Sequence, residues 1–334
     1  MIHETKSPIL SVAIPAYNVE AYLRECLDSL ILSSSYALDL EIIIINDGSK
    51  DGTQRIAEEY AKRHNNIFVI NKENGGHGSA INTGLKASHG KYFKLLDGDD
   101  KLDKNYLKSL ISILKKTNAD IVLNDYVEYY HKSGETILIQ PYKNLKKDVT
   151  YKIADNPFHT KGPLLATTTF KKSLYTDNPF AIDENCFYVD MEYNLFTYLR
   201  SDDVINTHLP LYIYRLERDG QSMQISSLVK NYKQHENVIL RLCKELSINR
   251  YDSRCLFLKS NLLDPMILSH YHILAEYIKS PSEFMKFTNK LKGYKFVYDN
   301  ISEYGKIIYI HKLAFGLTIP ANRIFRQIGR SLKK

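Results

Sequence analysis

Through its first 130 residues the chain alternates two hydrophobic patterns. Continuous apolar runs, "ILSVAIP" (9–15), "LEIIIIN" (40–46), "NIFVIN" (66–71) and "KYFKLL" (91–96), read as strands with both faces covered. Between them, "VEAYLRECLDSLIL" (19–32), "QRIAEEYAKRH" (54–64), residues 79–88 and "NYLKSLISILKK" (105–116) space their apolar residues as amphipathic helices. Thr53 is expected to cap the second of these. "ADIVLNDYVEYY" (119–130) supplies a fifth strand. Strand–helix alternation of this kind predicts a parallel α/β sheet with helices on both faces. From 135 to 215 the pattern is mixed, with short strands at "TILIQ" and "LYIYRL" and a helix at "MEYNLFTYLR". Beyond Gln224 only helical periodicity remains, so the division falls into an α/β unit, 1–225, and a helical C-terminal region, 226–334.

Composition adds little until charge is located. The 334 residues are 44% hydrophobic and 25% charged, as in a water-soluble globular protein. Net charge is +7, and residues 286–334 carry eleven Lys/Arg against two acids. This basic tail, around Arg323, Phe325, Arg326, Ile328 and Arg330, suits an anionic membrane surface, with a packed helix or homo-oligomer contact as the competing roles. No aromatic-basic RNA motif accompanies it, which argues against nucleic acid. The four cysteines are scattered, without CxxC spacing, and no signal peptide or long apolar span opens the sequence. The expected location is the cytoplasm, with the inner face of the cell membrane as a peripheral site.

In open α/β sheets ligands bind beyond the carboxyl ends of the strands. Polar clusters stand there: Asn18 after the first strand, Asn46–Asp47 after the second, and Asp97, Asp99 and Asp100 after the fourth. An extended strand end would turn Asp97 and Asp99 the same way. Two hard oxygen donors so placed suit Mn²⁺ or Mg²⁺ completed by phosphate oxygens. A calcium hand fails because its fifth and twelfth positions would be Lys101 and Lys108. An acidic turn capping the next helix is the plainer role, and Asp100 fits it. "ENGGHGSAINTGL" (73–85), with Gly75 and Gly76, opens a helix and could offer backbone N–H groups to phosphate. It is neither a Walker A loop nor GxGxxG.

In this order, "IPAYN", "NDGSKDGT", "NGG" and "DGDD" resemble the family 2 glycosyltransferases of the GT-A fold over residues 8–225. The resemblance implies an inverting, metal-dependent enzyme moving a sugar from a nucleotide sugar, UDP-linked, to a hydroxyl of a lipid-linked, glycan or glycoprotein acceptor. It implies that Pro15, Tyr17 and Asp47 line the base, and that Asp97 and Asp99 are the DxD pair, Asp99 nearest the metal. The general base falls on Asp190 in "FYVDMEYN", where Val189 replaces the usual glutamate. Glu192 is the alternative, and Asp183 and Glu184 are outside candidates. Arg215 and Arg218 would pair either with phosphate oxygens or with the acidic stretch before them. His77, beside the glycines, could touch substrate, although a loop histidine is more often surface. A nucleotidyltransferase making a nucleotide sugar, or a non-catalytic glycan-binding protein, are the competing readings.

Overall fold

The computed structural model of the protein describes residues 7–158, 162–217, 225–249 and 252–299. Strand β1 (Leu10–Ala16) is followed by α1 (Glu20–Asp28), a short α2 (Ser34–Ala37), β2 (Leu40–Asp47), α3 (Thr53–Arg63) and β3 (Ile67–Lys72). Then come α4 (Gly76–Ala87), β4 (Tyr92–Leu95), β5 (Lys101–Leu102), α5 (Lys104–Lys116) and β6 (Ile121–Tyr130). β1 pairs in parallel with β2 and β4, and β2 with β3. Every residue of β2 is buried, as its unbroken apolar run requires. Successive residues face opposite layers. Val12, Ile14, Ile42 and Ile44 meet Leu23, Ile56 and Leu107 on one side, whereas Ala13, Ile43 and Ile45 meet Ala80, Ile81 and Leu85 on the other.

The second half adds antiparallel strands to this parallel set, giving the mostly parallel sheet expected of the GT-A fold. After β7 (Thr136–Ile139) and β8 (Thr150–Lys152), β9 (Thr168–Lys171) inserts between β4 and β6, antiparallel to both. The sheet is therefore mixed, in the order β3-β2-β1-β4-β9-β6-β10-β5. Only four residues long and threonine-rich, β9 has no periodicity to read. α6 (Ser173–Thr176) and α7 (Val189–Leu199) lead to β10 (Asp203–Leu216), which pairs in parallel with β6. β10 is longer than the "LYIYRL" run because its register shifts between Asn206 and Tyr212, with His208 left-handed at φ 51°. The irregularity splits one strand into two sequence patterns.

The C-terminal helices are α8 (Ile225–Lys230), α9 (Tyr232–Ile248), α10 (Ser253–Leu258), α11 (Asp264–His272), α12 (Pro281–Lys292) and α13 (Lys295–Tyr298). They join the sheet's own core: Val238, Leu242, Leu258 and Phe287 belong to one apolar cluster with Phe170 and Tyr193. Phe257 stacks on Phe158 at 4.9 Å. Among the described residues no helix is long and apolar enough to cross a membrane. Arg218 and the basic tail from 301 onward lie outside the described residues.

Candidate functional site

Four loops meet at the carboxyl ends of β1, β2, β4 and the start of α7, and hydrogen bonds tie them pairwise. Asn18, left-handed at φ 52°, accepts the Lys50 N–H at 2.8 Å. The Val19 N–H donates to Thr53 Oγ1 at 2.9 Å. Thr53 is thus the first residue of α3 and a partner for the neighbouring loop, and Gly52 takes the cap position expected of Thr53. Pro15 accepts the Gly98 N–H at 3.3 Å, docking the aspartate turn on the end of β1. Tyr17 stands at the rim with 49% of its surface exposed.

Asp47 is buried and fully engaged. Its Oδ1 accepts from Lys72 Nζ at 2.6 Å and the Gly75 N–H at 3.0 Å, and its Oδ2 accepts from the Gly76 N–H at 2.8 Å. The N–H groups that the sequence reading offered to phosphate hold this carboxylate instead. A carboxylate there satisfies orphan donors of α4, which begins at Gly76 and not at Ser79. Gly76 needs its φ of 81° for the turn. At Gly78 a Cβ would collide with the Asp183 carbonyl, so α4 can lie directly on the loop before α7.

Asp97 to Asp100 form a turn, closed by the Asp100 N–H on the Asp97 carbonyl at 3.0 Å, not the extended strand end expected. The turn divides the three carboxylates. Asp100 is buried, accepting from Tyr212 Oη at 2.6 Å and the Arg215 N–H at 2.8 Å. Burial, with Asp99 and Asp97 beside it, pushes its carboxyl well above the usual range. Asp97 is partly exposed, and His77 Nε2 lies 3.4 Å from its Oδ1. Asp99 is mostly buried beside it. Two adjacent carboxylates, with the third drawn aside, are a donor set that fits a hard divalent ion whose remaining positions go to phosphate and water. Among the described residues no group of three or more His, Cys, Asp or Glu forms a closed metal cage.

Arg215 is buried beneath this turn. Its Nε donates to the Asp99 carbonyl at 2.9 Å and its Nη2 to Glu25 Oε2 at 3.0 Å, while Tyr22 and Tyr129 flank the guanidinium. It supports the aspartate turn from behind, a role the sequence reading did not assign to it.

Asp190 and Glu192 both lie in the first turn of α7, two positions apart, and point opposite ways. Asp190 is partly buried on the cleft side; burial raises its carboxyl above the ordinary value, and the nearby charge of His77 opposes the rise. Glu192 is fully buried, accepting from the Asp183 N–H at 2.7 Å and Arg241 Nη1 at 3.0 Å. Burial holds it up at about 7 despite these donors. Arg241 also pairs with the Asp183 carboxylate and donates to the Ala181 carbonyl at 2.6 Å. Glu184 is exposed and accepts from Asn82 Nδ2 at 3.2 Å. Asn82 further clamps the Ile182 backbone, at 2.9 Å to its carbonyl and 2.8 Å from its N–H. Sequence reading missed Asn82, Arg241 and Lys72, whose side-chain bonds at the site reach 25 to 102 residues along the chain.

The same architecture occurs in the crystal structure of S. aureus TarS 1–349 in complex with UDP-GlcNAc: TM-score 0.63 at 20% identity, covering 88% of this chain and 82% of that one. The fold is thus of the GT-A type. Residues 11–188, more than half of the chain, match Glycosyl transferase family 2, and the protein belongs to that family. "Glycosyltransferase GlyA" of Streptococcus pneumoniae is 31% identical over 227 residues, 64% of this chain and 31% of its own. "Minor teichoic acid biosynthesis protein GgaB" of Bacillus subtilis is 30% identical over 231 residues, 67% of this chain and 25% of its own. The chain therefore spans less than a third of the length of either relative.

Proposed function

We propose that the protein is an inverting glycosyltransferase that moves a sugar from a UDP-sugar to an acceptor hydroxyl in the assembly of a surface polysaccharide, wall polymer or glycoprotein glycan. The observation that carries this reading is the placement of His77. It contacts Asp97 at 3.4 Å and bears electrostatically on Asp190, so the aspartate turn and the carboxylate of α7 border one cleft. Neither a nucleotidyltransferase nor a glycan-binding role needs that second carboxylate. Asp97 and Asp99 would hold a divalent ion, Mn²⁺ or Mg²⁺. When bound, that ion supplies Lewis-acid stabilisation of the departing nucleoside diphosphate. Tyr17 and Pro15 border the nucleotide side of the cleft, and Lys72, Gly75 and Gly76 fix Asp47 there.

The acceptor hydroxyl attacks the anomeric carbon opposite the diphosphate, and Asp190 takes its proton. A single displacement of this kind inverts the centre. Burial makes Asp190 a stronger base than a surface aspartate, which suits the task. Glu192 cannot share it, being held by Arg241 and the Asp183 backbone. The likeness to GgaB, a minor teichoic acid biosynthesis protein, supports a wall-polymer setting. Testing requires a panel of sugar nucleotides scored for nucleotide release, with Mn²⁺, with Mg²⁺ and with EDTA. Release from a UDP-sugar that EDTA abolishes and Asp99→Asn cripples is the expected result. Metal-independent turnover would remove Asp97 and Asp99 from their roles.

A further inference from the structure

The loop 183–188 is constrained more heavily than an ordinary connection. Its Asn185 N–H donates to the Gly75 carbonyl at 2.6 Å, and Asp183 is held by Arg241. Asn185 and Tyr188 both adopt left-handed backbone, at φ 51° and 69°, which costs energy for non-glycine residues. The Tyr188 ring packs on His235 at 4.5 Å, and the Phe187 N–H donates to Gln234 Oε1 at 3.0 Å, both partners on α9. Between these fixed points the Phe187 side chain keeps 44% of its surface exposed, three residues before Asp190. Phe68 is exposed to a similar degree, but it sits on the edge strand β3, away from the cleft. An isolated exposed phenylalanine is unremarkable; this one stands on backbone braced from both sides, two residues before Val189, the start of the helix that carries Asp190.

Building on the transferase reading, we infer that Phe187 is the acceptor platform, and that the acceptor presents a pyranose ring rather than a ring-free polyol phosphate. An aromatic face offers a sugar its negative π surface, against which the axial C–H groups of a pyranose pack, leaving the hydroxyls free to turn toward Asp190. A flexible polyol chain has no such flat apolar face. Loss of this contact is expected to weaken acceptor affinity roughly tenfold, equivalent to about 1.4 kcal/mol. α9 thereby takes part in acceptor binding without touching the acceptor, through Gln234 and His235.

The sequence contains no tryptophan, so Phe187→Trp creates a single-tryptophan protein whose indole is excited selectively, beyond the tyrosine band. Titrating it with methyl pyranosides (glucoside, galactoside, N-acetylglucosaminide) in the presence of UDP and Mn²⁺ is expected to shift or quench its emission, whereas glycerol phosphate oligomers leave it unaltered. In transfer assays Phe187→Ala is expected to raise the KM for a pyranoside acceptor about tenfold, more than it lowers kcat. Phe187→Tyr should restore it and Phe187→Leu should not. An alanine variant equal to wild type, rescue by leucine as complete as by tyrosine, or an equal response to the ring-free polyol overturns the inference. If wild type releases nucleotide from no donor, the transferase reading fails, while the tryptophan titration still decides whether Phe187 meets a pyranose.

Discussion

The two halves of the cleft are built by different rules. On the donor side, β1, β2 and β4 lie side by side in parallel, so each loop leaves the sheet at the same edge and the polar residues following each strand meet there, with Tyr212 and Arg215 of β10 shaping only the aspartate turn. On the acceptor side, Asp190 and Phe187 follow a long irregular stretch, and their positions depend on residues contributed from elsewhere: Asn82 from α4, Gln234 and Arg241 from α9. Topology brings the first half together, and long-range bonds from β10 then adjust one of its turns. Long-range side-chain hydrogen bonds locate the second, which should therefore be the half that single substitutions disturb most.

The largest effect is expected at Asp190. Asp190→Asn should lower kcat by about 10²–10⁴-fold, with UDP affinity, read by calorimetry, unaffected because the donor half does not depend on it. Glu192→Gln should act differently, weakening the fold more than the chemistry. A Glu192 variant that folds normally and loses transfer, beside an active Asp190→Asn, would exchange the two roles.

Next comes the clamp between α9 and α7. Arg241→Met removes the guanidinium from the fully buried Glu192 and from Asp183. Breaking a buried ion pair on one side costs about 3–5 kcal/mol when the charge is trapped; Glu192, held at about 7, can instead take up a proton, so chemical denaturation should register a loss that is smaller at pH 6 than at pH 8. The pair Arg241→Met/Glu192→Gln should recover a large part, since no buried charge is then left unpaired. Equal loss in single and double variants would mean that the clamp acts by packing over Phe196 rather than by charge.

The same contrast explains what the sequence could reveal. β1 to β4 were legible because runs such as "LEIIIIN" can only be strands buried on both faces, and "DGDD" sits where such a strand must end. The turn at Asp97–Asp100 was misread as extended because the pull on Asp100 comes from Tyr212 and Arg215, more than a hundred residues away. β9 escaped notice for a related reason: "TTFK" is a strand only because β4 and β6 leave a gap for it. The core shared by α9 and the sheet was equally hidden, since helical periodicity shows that a helix has an apolar face but not what covers it.

A third test asks whether the acceptor side is also the acid-sensitive side. His235 and His270 are buried with their Nδ1 atoms 3.2 Å apart, and Glu236 Oε2 lies 3.8 Å from His270 Nε2. Burial, with His270 adjoining, brings His235 down to about 3, and burial lowers His270 as well. Burial opposes ionisation of Glu236, but Lys290 and Lys233 donate to it and His270 adjoins it, and its carboxyl falls to about 2. Histidines held below their ordinary value stay neutral in the fold while the unfolded chain takes up protons. The contribution of the two histidines to stability is thus complete above pH ~6.5 and falls as pH drops toward 3. Between pH 6.5 and 5, His235 alone should cost about 2 kcal/mol. Glu236 adds a loss in the same direction, between its unfolded value and about 2. Over the same range the raised carboxyl of Glu192 pulls the other way, gaining stability as pH falls through 7. The histidine share is therefore read as the difference between wild type and His235→Phe in thermal melts at pH 7 and pH 5; equal slopes in the two proteins would place the acid sensitivity elsewhere.

The smallest effect belongs to the donor half and probes its local character. Asp103 caps α5, accepting the Asn105 N–H at 2.8 Å and the Tyr106 N–H at 3.1 Å. This helix follows the aspartate turn immediately, and its Leu107 and Leu110 are buried against the sheet. Asp103→Ala should cost about 1 kcal/mol, the ordinary value of an N-cap, and Asp103→Ser should restore most of it. Because Asp97 and Asp99 are held through Pro15, Tyr212 and Arg215 rather than through α5, the loss should appear in the melting temperature and leave donor KM within about twofold of wild type, a shift of less than ~0.5 kcal/mol. A large rise in donor KM from so small a loss of stability would show that the turn takes its shape from the helix after it, and that the donor side is no more self-sufficient than the acceptor side.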